Sequence, residues 1–162
     1  MTTSASAPES AKILKRTLQR AFPATAFSVT IDRGTAYGYC NVSWTDGPSE
    51  KLVEVVANRF KGQGFDGMTD CSYRIENNLP DGRRTGLRGV MCNRHISAHF
   101  ARRLLRAVAE FWGACGPVPE VVETPGSRYW TLNHDDKPRK DLPERWSTYL
   151  YRASHDRTSV IR

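Results

Sequence analysis

Apolar residues recur along the chain first at helical spacing, then at every second position, then at helical spacing again. In residues 8–21, PESAKILKRTLQRA, Leu14, Leu18 and Ala21, with Phe22 beyond, fall on one side, while Lys12, Lys15, Arg16, Gln19 and Arg20 fall mostly elsewhere. That pattern predicts an amphipathic helix ended by Pro23. In FSVTI, Phe27, Val29 and Ile31 alternate with Ser28 and Thr30, and AYGYCNVSW is again rich in β-formers. Residues 26–44 are therefore expected to form an antiparallel pair. Asp46, Gly47 and Pro48 read as a turn and helix entry, with Leu52, Val55, Val56 and Phe60 as the buried side of a second helix.

Beyond the glycines of GQGFDGMTD, Cys71, Tyr73 and Ile75 alternate with polar residues, and LPDGRRTG separates them from LRGVMC. Residues 68–92 are expected to form a second antiparallel pair, the two pairs partly burying Val29, Ile31, Val42, Trp44, Tyr73 and Ile75. The helical pattern is strongest from Ser97 to Trp112, closed by Gly113. PEVVE and RYWTLN read as short strands, and RWSTYLYRA as a short helix or strand. The fold class expected is α+β: a single domain with an antiparallel sheet, helices mainly on one face, in the order α-β-β-α-β-β-α plus a short C-terminal β appendix. Residues 1–10 are expected as a flexible leading segment, 11–133 as the domain and 134–162 as a C-terminal extension.

Charge changes this picture in one way. Of the net +7, residues 1–80 contribute 9 Lys/Arg against 8 Asp/Glu, whereas residues 81–162 contribute 15 against 9. A basic second half favours polyanionic partners without proving one. MTTSASAPES lacks the basic start and apolar core of a signal peptide, and no apolar run approaches the length of a membrane span. A cytoplasmic location without membrane association is expected. Cys40, Cys71, Cys92 and Cys115 form no CxxC and are expected to be reduced thiols.

The segments AKILKRTLQRAFP and FSVTIDRGTAYGYCNVSWTDGPSEKLVEVVANRFKGQGFDGMTD resemble large polyvalent protein associated domain 29 over roughly residues 11–78. Val42-Ser43-Trp44-Thr45-Asp46-Gly47-Pro48 and Phe65-Asp66-Gly67-Met68 carry the resemblance most specifically. It implies a protein of phages or other bacterial mobile elements, acting on host defences or host machinery, and carries no established catalytic set. The motif residues also have a plainer reading: turn glycines, turn or cap aspartates, and a core tryptophan.

Candidate chemistry divides between metal and charge. Cys92, His95 and His99 have the spacing C-x2-H-x3-H, which suits zinc except that a fourth ligand, Cys71 or Cys115, depends on the fold. Asp46, Asp66 and Asp70 suit a magnesium site only if the chain gathers them. No metal or cofactor is expected. The long helix places Ile96, Phe100, Leu104, Val108, Phe111 and Trp112 on one side and His95, His99, Arg102, Arg103 and Arg106 on the other. Arginine forks match phosphate and carboxylate alike, and Arg145 and Arg152 lie among aromatics that suit base stacking or core packing. These seven His and Arg residues are the expected binding set, set against the simpler reading of a solvated helix face. A non-enzymatic protein that counters a bacterial defence, of anti-CRISPR or anti-restriction type, by binding a host complex or its nucleic acid is favoured. The alternative is a metal-dependent enzyme acting on nucleic acid.

Overall fold

A computed structural model describes residues 3–156. Residues 1 and 2 of the expected leading segment and 157–162 of the expected extension lie outside the described residues. The fold is α+β, and it divides into two compact units: the chain up to Trp44 with Glu50–Arg94, and Thr45–Ser49 with His95 onward.

In the first unit, α1 (Ala7–Ala21) begins where the sequence supplies a capping box. The Ser6 N–H donates to Glu9 Oε2 at 2.9 Å, and the Glu9 N–H donates back to Ser6 Oγ. Leu14 and Leu18 are fully buried, and α1 packs on β1 (Ser28–Ile31) and on α2 (Glu50–Ala57). β1 pairs antiparallel with β2 (Tyr39–Thr45), Val29 opposite Val42 and Ile31 opposite Cys40. Alternation along β2 sends Cys40, Val42 and Trp44 into the core, as expected of a half-buried strand. Near the start of α1, Gly86 donates its N–H to the buried Ser10 hydroxyl at 2.9 Å. A Cβ at position 86 would collide with the Ala5 carbonyl oxygen.

Three expectations for this unit are corrected. The second hairpin lies upstream of its expected place: β4 (Cys71–Arg74) pairs with β3 (Gln63–Asp66), not with LRGVMC. Asp66 closes the short turn by accepting from the Met68 N–H at 2.9 Å and the Thr69 hydroxyl at 3.0 Å, and a short loop costs less entropy to close than the polar segment after β4. β5 (Gly89–His95) lies beside β2 instead. Arg88 N–H donates to Gly38 O and Asp46 N–H to His95 O, each at 2.8 Å, so β2 and β5 run in the same direction. Parallel neighbours need a crossover, and α2 with the β3–β4 hairpin supplies it. Tyr73, expected to be partly buried, is 55 % exposed on that hairpin. In α2 the buried side is Val53, Ala57 and Phe60, while Leu52 and Val55 are exposed. Phe60 reaches the core through a 3₁₀ turn, Asn58–Phe60, whose tighter winding breaks the α-helical count.

In the second unit, α3 (Ala98–Trp112) starts at Ser97, whose hydroxyl accepts from the Phe100 N–H at 3.1 Å. Ser97 is itself fixed by Asp46, whose carboxylate accepts its N–H at 2.8 Å and its hydroxyl at 2.6 Å. Gly113, at φ 59°, ends the helix in the left-handed conformation. The short strands β6 (Val121–Glu123) and β7 (Trp130–Leu132) pair antiparallel. RWSTYLYRA resolves as the start of a helix, α4 (Trp146–Asp156), packed against α3. Phe100, Leu104, Leu105, Trp146 and Leu150 form the centre of this unit's core.

Candidate binding face on the third and fourth helices

Burial of Phe100, Ala101, Leu104, Leu105 and Val108 turns the opposite side of α3 to solvent. At about 100° per residue that side carries His99, Arg102, Arg103 and Arg106, and all four are exposed. His95 is not part of the stripe: it ends β5, is half-buried, and accepts from the Asp46 N–H through its carbonyl oxygen. Arg102 is held rather than free, donating to Glu123 Oε1 at 2.7 Å and to the Val121 carbonyl at 3.2 Å, which ties α3 to β6. Its guanidinium is about half exposed, so the tie positions more than it stabilises.

On α4, Arg145 precedes the first turn, and its carbonyl accepts from the Thr148 and Tyr149 N–H groups. Arg152 lies two turns later and pairs with Glu144 at 2.7 Å. Asp135 anchors the helix start, accepting the Ser147 N–H and hydroxyl, each at 2.7 Å. Burial works against the Asp135 carboxylate, yet the two Ser147 hydrogen bonds and the nearby Arg145 hold it below its usual range. Of the aromatics here, Trp146 and Tyr149 are core residues and Tyr151 is exposed.

Phe111 and Trp112 depart from the expected buried stripe of α3. Phe111 is 72 % exposed and Trp112 36 %, because the apolar stripe runs on into the last turn of α3, past the buried centre. Phe111 stands edge-on to Trp112 at 5.1 Å between ring centroids, and Trp112 lies 5.2 Å from Tyr149. With Val108 and Arg152 these rings line a groove of about 330 Å³. Helical spacing assigns the two rings to the apolar side but does not tell where its cover ends. A second cleft, about 410 Å³, is lined by Ile96, Trp130, Leu132, Leu150, Tyr151 and Asp135 among others. Two of its polar groups are engaged: Trp130 Nε1–H donates to the Ile96 carbonyl at 2.7 Å, and Asp135 holds Ser147.

The metal readings find no assembled donor set. Among the described residues no three His, Cys, Asp or Glu side chains gather as a metal site. Burial, with Glu54 and Glu50 nearby, pushes the Cys92 thiol up to about 12. Asp46 holds Ser97, the cap of α3, and Asp66 closes the β3–β4 turn, its carboxyl lowered by the Met68 N–H and the Thr69 hydroxyl. Asp70 follows in the same turn at φ 51°. These aspartates shape backbone.

Comparison with known proteins adds one finding. The family model described as large polyvalent protein associated domain 29 matches residues 5–99, more than half of the chain and further in both directions than the expected 11–78. No curated protein and no solved structure matches. The match takes in the elements from α1 to β5 and the cap of α3.

Proposed function

This chain belongs to the large polyvalent protein associated domain 29 family, a family of phage and mobile-element proteins, and we propose on that premise that it is a binding protein that blunts a bacterial defence. It acts in the cytoplasm of the host cell, against a defence of the CRISPR or restriction type, by engaging a host complex or its nucleic acid. The observation that carries this reading is the solvent-facing stripe of His99, Arg102, Arg103 and Arg106 on α3. Such a stripe offers charge-assisted hydrogen bonds to phosphate or carboxylate. Arg145 and Arg152 extend the same chemistry along α4, beside the Phe111 and Trp112 rings at the end of α3. Among the described residues no helix is long and apolar enough to cross a membrane, which agrees with a partner met in solution.

The test is phage plating on bacteria carrying one restriction or CRISPR system, with and without expression of the full chain. Expression should raise plaque counts of a phage that the system blocks. Expression of a chain carrying Arg103→Glu and Arg106→Glu should not, with Arg102 kept because it ties β6. Unchanged plaque counts across both system types would overturn the reading.

A further inference from the structure

We propose that the outer face of α1 is a second binding surface, one that grips the phosphate backbone of nucleic acid without reading its sequence. The inference stands apart from the α3 stripe, resting on different residues of the other unit. Lys12, Lys15, Arg16, Gln19 and Arg20 are all exposed and line one shallow surface groove of about 440 Å³. Among the described residues none of the four cations has an ion pair or side-chain hydrogen bond. The acidic residue of α1, Glu9, sits in the first turn and is occupied by Ser6 and, at 3.5 Å, by Arg83. Four uncompensated cations on one helical face make a local positive field, in a half of the chain whose net charge is only +1.

Spacing and composition decide which polyanion fits. Lys12, Arg16 and Arg20 follow at i, i+4 and i+8 and span about 12 Å along the helix. One strand of duplex DNA presents a phosphate roughly every 3.4 Å of axis, so the ridge covers about three or four of them. A protein interface needs apolar or aromatic anchors at its centre, and lysine is depleted there. The α1 ridge has none: its apolar residues Leu14 and Leu18 are fully buried, and Ile13 is packed against the core. Long, untethered side chains suit sequence-independent phosphate contacts, for which no fixed geometry is required.

The experiment measures fluorescence anisotropy of a labelled, mixed-sequence DNA duplex with the full chain over a range of salt concentrations. Wild-type chain is compared with Lys12→Gln/Lys15→Gln/Arg16→Gln/Arg20→Gln, and with the single change Lys15→Gln. Glutamine keeps near-equal helix propensity, so unchanged melting is expected. The slope of log affinity against log salt should flatten by about 0.9 for the single variant and about 3.6 for the fourfold one. Unchanged slopes in folded variants, no duplex binding by the wild-type chain, or tighter binding of a polyglutamate probe than of the duplex would each overturn the proposal. Arg103 and Arg106 are intact in these variants, so a failure here leaves the α3 reading standing, and the plating test decides that reading separately.

Discussion

Cys40 and Cys92 lie on neighbouring strands of the first unit, and burial raises both thiols. Cys40 reaches about 11, with Asp32 adding to the effect, and Cys92 about 12, with Glu54 and Glu50 adding. An unfolded thiol ionises near pH ~8.5. Above that pH the unfolded chain releases protons that the folded chain keeps, so folding loses stability as pH rises from about 8.5 toward 11. Urea midpoints at pH 7 and pH 10 should therefore differ, with the lower midpoint at pH 10. A Cys40→Ser/Cys92→Ser chain should show less of this loss, whatever its starting stability. Cys71 and Cys115 are exposed and none of the four is in a disulfide, so a thiol reagent at neutral pH should modify these two quickly, the half-buried Cys92 more slowly and the buried Cys40 only on unfolding. Modification of all four at one rate would contradict this burial pattern.

At the level of elements, α4 shows how one aromatic fixes a segment that periodicity left open between helix and strand. Trp146 is 1 % exposed in the second core, and truncating it to alanine should cost about 3–5 kcal/mol. Tyr151, five residues on, is 63 % exposed, and its alanine variant should stay within about 0.5 kcal/mol of wild type in denaturant unfolding. Elements with strong periodicity and stop signals were legible in sequence, α1 before Pro23 and α3 between Ser97 and Gly113, whereas the Ser6 and Glu9 capping box that opens α1 was missed within a segment expected to be flexible. Strand partners were not, because alternation in Cys71–Arg74 marks a strand without naming its neighbour. The short Asp66-centred turn made that choice. The buried side of α2 was missed by one helical position, because the 3₁₀ turn before Phe60 changes the residue count.

For the whole molecule, charge was legible in sequence as a sum and as an angular stripe, but its pairing was not. Arg102 looks identical to Arg106 along α3, yet it is tied to Glu123, 21 residues away, a contact that only the β6–β7 hairpin brings about. Arg152 is likewise paired, with Glu144. Two of the seven residues the sequence suggests are thus already engaged within the fold, and Arg106 is the exposed arginine of α3 that best reports on the proposed face. The rings of Phe111 and Trp112 enlarge it in a way that spacing alone hides.

The decisive measurement is affinity capture from a bacterial lysate, with and without nuclease, using the full chain and its Arg103→Glu/Arg106→Glu variant. Both charges sit on the solvent side of α3, and glutamate is a good helix former, so the variant keeps the helix while reversing its charge. Wild-type chain should retain a specific host complex or nucleic acid at moderate salt, and the variant should lose it. Equal capture by the two chains would show that the outer side of α3 is only a solvated helix face.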